Sequence, residues 1–182
     1  MLTRHADPDR DAAACLAIYA PYVTASAVSF EDVPPSVPEF AARIEHYSQT
    51  HAFLVAEDDS AVAGFAYACA HRARAAYRWT AETSVYLDTD YQGRGIGTAL
   101  YEKLLALLRT QGMRLALGGV TLPNDASIAL HRRCGFIQIG VFPDVGWKDG
   151  GWRDVAWLAC DLNPAADHQP GPPPEPGPPT RL

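Results

Sequence analysis

No stretch of the 182-residue chain is apolar for long enough to cross a bilayer, and the opening Met1-Leu2-Thr3-Arg4-His5 lacks the apolar core of a secretory signal. Basic residues are also scarce. Fifteen Lys and Arg against 21 Asp and Glu leave a net charge of -6, which gives no electrostatic footprint for DNA or RNA. The cysteines, Cys15, Cys69, Cys134 and Cys160, are scattered. They form no CxxC pair and have no matching His spacing, so neither a zinc site nor a disulfide framework is indicated, and no metal is expected. These absences together predict a cytoplasmic protein whose partner is neither a nucleic acid nor a membrane. What remains, 48% hydrophobic and 20% charged residues, fits one soluble globular domain.

Composition changes at Asn163. From there the chain holds Pro164, Pro170, Pro172, Pro173, Pro174, Pro176, Pro178 and Pro179, out of 15 prolines in all. Such a segment has few backbone donors and little apolar surface, so 1–162 reads as the domain and 163–182 as a disordered Pro-rich tail.

Within the domain, Cys15, Ile18, Tyr19 and Tyr22 recur at helical spacing over residues 11–23, with Asp7 or Asp9 as cap. Ser36 and Glu39 form a capping box before a second helix carrying Phe40, Ile44 and Tyr47. Residues 52–57 and 62–70 read as a hairpin around Asp58-Asp59-Ser60. A strand over 80–88 precedes the clearest helix, 93–110, whose Ile96, Leu100, Leu104, Leu107 and Leu108 form one stripe ending at Gly112. A strand over 114–121, a helix over 125–134 and closing strands over 136–141 and 152–161 complete a mixed α+β pattern. A short strand is expected before the first helix, and one strand-helix-strand crossover sits at the centre.

The turn before the strongest helix is Gln92-Gly93-Arg94-Gly95-Ile96-Gly97. Glycines there let backbone approach a ligand, and the free N–H groups at a helix start make an anion site suited to a pyrophosphate. The glycines alternate as GxGxG, which does not fit the dinucleotide fingerprint GxGxxG. Nor does a Gly-Lys-Ser/Thr follow, as a P-loop requires.

Gln-x-x-Gly-x-Gly following the strand Ser84-Val85-Tyr86-Leu87, with Asn124 and then His131-Arg132-Arg133-Cys134-Gly135-Phe136 downstream, resembles the GNAT superfamily of N-acetyltransferases. A longer match is to its phosphinothricin and methionine sulfoximine N-acetyltransferases. It is carried by residues 72–86 (RARAAYRWTAETSVY), by Leu122-Pro123-Asn124-Asp125 with His131, and by Gly146-Trp147-Lys148 with Gly151-Trp152-Arg153-Asp154-Val155. The resemblance implies a mostly antiparallel sheet of about seven strands flanked by helices, with a splayed parallel pair holding acetyl-CoA. It also implies a homodimer. Val85, Tyr86 and Leu87 would hold the pantetheine arm, Gln92, Gly93, Arg94, Gly95, Ile96, Gly97 and Thr98 the pyrophosphate, and Asn124 the region near the thioester.

The same resemblance makes Glu82 and His131 the catalytic candidates. An amine attacks a thioester only as the free base, and Glu82, on a strand face shared with Ser84 and Tyr86, offers a carboxylate to take its proton. An imidazole such as His131 serves as acid or base near neutral pH. Arg72 and Arg74 suit an anionic substrate, since guanidinium pairs with carboxylate or phosphinate in a fork. Phe30, Tyr77, Tyr86, Thr121 and Val155 fall where the family lines its amino-acid pocket, while Arg72 and Glu31 depart from the residues usual in herbicide-detoxifying members. The expected reaction is direct acetyl transfer to the amine of a small anionic amino acid or analogue. The alternatives are another amine, such as a peptide N-terminus or polyamine, or a non-catalytic acetyl-CoA sensor.

Overall fold

Asp7 starts the first helix: its carboxylate accepts from the backbone N–H groups of Asp9 and Arg10 at 2.9 and 3.1 Å, and Pro8 takes the first helical position. The computed structural model describes residues 1–164 and 173–180. In chain order they form β1 (Leu2–His5), α1 (Pro8–Thr24), α2 (Val37–Ser48), β2 (Phe53–Asp58), β3 (Ala61–Ala70) and β4 (Thr80–Leu87). Then follow α3 (Ile96–Gln111), β5 (Leu115–Thr121), α4 (Asp125–Arg133), β6 (Ile137–Lys148) and β7 (Gly151–Asp161). The Ser36–Glu39 capping box is present on α2, and the β2–β3 turn holds Asp59 and Ser60 at φ 46° and 73°, the primed geometry that matches strand twist.

The strands form one seven-stranded sheet in the order β1-β2-β3-β4-β5-β7-β6. Every neighbouring pair is antiparallel except β4 and β5, which are joined through α3. A parallel pair needs such a crossover, because a tight turn cannot return the chain in the same direction.

Successive residues of β2, from Phe53 to Ala56, are all buried, so the sheet is covered on both faces. Phe53 and Val55 join Phe65 beneath Cys15, Ile18 and Tyr19 of α1 and Phe40 and Ile44 of α2. Leu54 and Ala56 face the opposite way, toward Leu100, Leu104 and Leu108 of α3. Each of those three leucines is fully buried and stabilises the fold by roughly 1.5–3 kcal/mol. Arg4 adds a polar clamp, pairing with the buried Asp11 at 2.6 Å and with Glu57 at 2.8 Å, which ties β1 to α1 and β2.

Three differences from the sequence reading have physical causes. Helix α3 begins at Ile96 rather than Gly93, because Gly93 and Gly95 sit at φ 73° and 81°, outside helical space. Strand β6 runs on to Lys148 instead of stopping at Val141. A bulge between Phe142 and Gly146 absorbs Pro143 and the positive-φ Asp144, whose N–H is taken by the Asp154 carboxylate at 2.9 Å, and the ladder then resumes. Third, residues 173–180 make contacts with the domain. The Trp79 indole donates to the Pro174 carbonyl at 2.8 Å, and the Gly177 N–H donates to the Gln111 carbonyl at 2.7 Å. Residues 165–172, 181 and 182 of the expected disordered tail lie outside the described residues.

Candidate active site

The parallel pairing of β4 with β5 covers only Thr80–Glu82 against Leu115–Leu117. Beyond Glu82 a cavity of about 50 Å³ opens, lined by residues 83–86 of β4, by residues 119–121 of β5, and by Tyr101, Asn124, Ser127 and His131. A second cavity of about 250 Å³ adjoins it, sharing Val28 and Thr121 and bounded by Ser26, Pro123, Asp149 and Arg153. Each of the two strands thus presents main chain and side chains to a common cleft.

At one end of the cleft is the glycine turn. A Cβ built on Gly93 or Gly95 meets nothing within 4 Å, so this backbone faces open space beside the first turn of α3. Arg94 lies 5.1 Å above the Tyr91 ring, and the Gln92 amide donates to the Tyr22 hydroxyl at 3.1 Å. Ile96 and Gly97 are buried in the first turn of α3, with Thr98 following on the same turn. Tyr22 donates to the Leu87 carbonyl at 2.7 Å, which engages one main-chain group of the segment that includes Val85 and Leu87. Tyr86 points to the other face, edge-on to Tyr19 at 4.9 Å and Tyr22 at 5.2 Å.

Asn124 caps α4, its Oδ1 accepting from the Ser127 N–H at 3.0 Å. One turn on, His131 is 3% exposed. Its Nδ1 lies 2.8 Å from the Ser127 carbonyl, which only accepts, so Nδ1 carries the proton and Nε2 accepts from the Tyr101 hydroxyl at 3.0 Å. Burial pushes this imidazole below its ordinary pKa, against the opposing pull of the Ser127 carbonyl. The ring fits only because position 118 is glycine: a Cβ there would stand 2.4 Å from Nε2.

Glu82 is on the other face of β4, half-buried, with its Oε1 2.6 Å from His71 Nδ1. Arg72 donates from Nε to His71 Nε2 at 3.3 Å and places its guanidinium 5.9 Å from the Tyr77 ring. Arg74, exposed, is the residue before the short turn Ala75–Tyr77. The structure therefore brings Glu82, Arg72 and Tyr77 into one cluster through His71, a residue the sequence reading missed. The hairpin register carried the signal: Cys69 pairs with Glu82 and Ala70 with Ala81, so His71, two residues beyond Cys69, comes to the same face as Glu82. Thr121 and Val155 are direct partners across β5 and β7, and Phe30 packs on Gly146 of β6, where a Cβ would approach its ring to 2.2 Å. Glu31, beside it, pairs with Arg43 at 2.7 Å while its carbonyl accepts from Lys148 at 2.6 Å.

Burial raises the thiol pKa of Cys15 to about 12 and that of Cys69 to about 11, which removes thiolate character from both. Among the described residues no cluster of three or more His, Cys, Asp or Glu could hold a metal ion, and no helix is long and apolar enough to cross a membrane.

The model of the acetyltransferase (GNAT) family matches residues 17–136, from within α1 to just beyond α4. The chain belongs to the GNAT acetyltransferase family. This GNAT protein is 41% identical to the phosphinothricin N-acetyltransferase of Alcaligenes faecalis over 157 residues, 85% of this chain and 80% of that one. It is 36% identical to the L-methionine sulfoximine/L-methionine sulfone acetyltransferase of Pseudomonas paraeruginosa over 117 residues, 64% of this chain and 68% of the relative. Among solved structures, the phosphinothricin acetyltransferase of Sinorhizobium meliloti in complex with AcCoA superposes with a TM-score of 0.88 at 34% identity. That superposition covers 96% of this chain and 93% of the other. Fold and enzyme class agree: the mostly antiparallel sheet with its parallel β4–β5 pair is the GNAT fold, and the protein is an N-acetyltransferase.

Proposed function

We propose that this enzyme transfers the acetyl group of acetyl-CoA directly to the amine of a small anionic amino acid or analogue, of the phosphinothricin or methionine sulfoximine type. The observation that carries the reading is the position of Glu82 at the last paired residue of the parallel strands, where the cleft begins. The cleft's residues fit the cofactor. Gly93 and Gly95 leave backbone open beside the first turn of α3, which suits the pyrophosphate together with Arg94 and Thr98. Val85 and Leu87 lie on the part of β4 that has parted from β5, where an extended amide chain can pair as a strand does. Acetyl-CoA, when bound, supplies the activated thioester.

Glu82 holds a carboxylate where it can take the proton from the substrate ammonium, which frees the nitrogen lone pair to form the new C–N bond as the C–S bond breaks. Asn124 and His131 line the thioester end of the cavity. With His131 Nδ1–H committed to Ser127 and Nε2 accepting from the Tyr101 hydroxyl, the neutral ring holds no free proton, and the departing thiolate takes its proton from solvent. Arg72 and Tyr77 supply cationic and aromatic surface beside Glu82, with Arg74 as a further exposed cation before the Ala75–Tyr77 turn, while Phe30, Thr121 and Val155 wall the opposite side. The exposed apolar residues of edge strand β6 supply the surface for a homodimer.

The test is release of CoA thiol from acetyl-CoA with a panel of phosphinothricin, methionine sulfoximine, methionine sulfone, ordinary amino acids and polyamines. Turnover confined to the first three, with kcat reduced by about 10²–10⁴ in Glu82→Gln and acetyl-CoA affinity unchanged, supports the reading. Tight acetyl-CoA binding without turnover on any amine overturns it in favour of a sensor.

A further inference from the structure

Glu82 is a half-buried carboxylate with one strong partner. Its Oε1 lies 2.6 Å from His71 Nδ1, a short hydrogen bond. His71 is in turn fixed from behind. Arg72 Nε is a donor with no acceptor capacity, and it lies 3.3 Å from His71 Nε2, so Nε2 presents a lone pair and the ring proton is on Nδ1. The proton therefore points at Glu82, and the order of donation is Arg72 to His71 to Glu82. Two aromatic rings hold the imidazole plane: Tyr77 edge-on at 5.5 Å and Trp157 of β7 edge-on at 6.1 Å.

We propose that His71 is a positioning residue that aims the Glu82 carboxylate, with Arg72 fixing the imidazole as its Nδ1–H tautomer. This rests on the reading of Glu82 as the base. A glutamate side chain has three rotatable torsions, and a base is effective only when its oxygen is within hydrogen-bond reach of the proton it takes. His71 occupies Oε1 and leaves Oε2 for the substrate ammonium. Because the imidazole is held as a donor on the Glu82 side and an acceptor on the Arg72 side, it does not accept the substrate proton. That proton stays on Glu82 until solvent or product removes it. The other groups facing the pair do not replace this function. Cys69, the antiparallel partner of Glu82 on β3, has its thiol pushed up to about 11 by burial and by the charge of Glu82. From β5 the register partner is Leu117, which carries no charge, and Tyr77 and Trp157 are neutral.

The distinguishing measurement is the split between kcat and KM in the full-length enzyme, with the substrate identified by the amine panel. His71→Ala lowers kcat about tenfold with KM for acetyl-CoA unchanged, because a base that has lost its aim fails in proton removal and not in cofactor binding. His71→Asn, whose amide nitrogen stands on the same carbon as Nδ1, returns most of the rate. A raised KM for acetyl-CoA with kcat unmoved, a loss that His71→Asn does not restore, or no change at all, overturns the proposal. Far-UV circular dichroism and the melting temperature confirm that each variant is folded. Glu82→Gln, run alongside, separates the two readings. If it stays fully active, the base assignment falls and the His71 proposal with it. If it is inactive while His71→Ala keeps the wild-type kcat, only the His71 proposal falls.

Discussion

The hydroxyl of Tyr101 on α3 lies 3.0 Å from Nε2 of His131 on α4, and both groups are shut away from solvent. This bond satisfies the one imidazole nitrogen that Ser127 leaves open. In Tyr101→Phe the ring volume is kept and Nε2 loses its donor, so a buried acceptor stands unpaired. The expected cost is about 1–3 kcal/mol, read as a lower urea midpoint with an unchanged slope. An unchanged midpoint would show that the bond contributes nothing net.

Neighbouring glycines on β5 make opposite predictions. A Cβ on Gly118 would stand 2.4 Å from His131 Nε2, whereas one on Gly119 has its nearest neighbours, Trp157 and Val155, at ordinary contact distance of 3.6 Å. Gly118→Ala therefore displaces the imidazole toward the cleft, costs about 1–3 kcal/mol and depresses acetyl transfer. Gly119→Ala leaves stability within about 0.5 kcal/mol, because it forces no neighbour to move. Thermal melts of the two variants side by side check the contrast, and equal melting temperatures would refute it.

Glu82 shows how far the sequence reaches. Alternation along β4 places it with Ser84 and Tyr86, and the GxGxG turn marks where an anion meets α3, because both are properties of a few consecutive residues. The hairpin, the α3 stripe and the crossover were legible for the same reason. His71 was not, since its meeting with Glu82 depends on the register of β3 against β4, and the Tyr101–His131 bond depends on how two helices pack on one sheet. The length of β6 was hidden by Pro143 and Asp144, which read locally as a turn and act as a bulge once β7 supplies the Asp154 carboxylate.

His51 links the fold to pH. Burial lowers its pKa from 6.5 to about 4, so the folded protein holds it neutral, with Nδ1 at 2.8 Å from the Thr50 hydroxyl. The unfolded chain binds a proton below its own value and the folded one does not. Stability is therefore fully present above pH 6.5 and is lost as pH falls toward about 4. The size of the effect is about 3 kcal/mol across that window. Unfolding free energy measured in urea at several pH values should show this fall, and His51→Leu should flatten its share of the slope. An equally steep fall in the variant would assign the loss to other groups.

The outer edge of the sheet poses the last test. Strand β6 ends the strand order, with β7 as its sole neighbour in the sheet. It exposes Ile137 at 69%, Ile139 at 58%, Val145 at 50% and Trp147 at 59% of their surfaces. A long apolar edge invites pairing, and stable proteins cover such edges or interrupt them with charge. Between Ile137 and Val145 the one charged residue is Asp144, and it sits in the bulge, where its N–H is drawn to Asp154. A second copy of the chain meeting this surface about a two-fold axis would cover it on both molecules at once. Sedimentation should accordingly give twice the 19.7 kDa chain mass. Ile139→Glu places an unpaired charge at the centre of that contact and should shift the species to 19.7 kDa with its melting temperature nearly unchanged in dilute solution. A wild-type protein that sediments at the single-chain mass at every concentration would remove the dimer from the proposal.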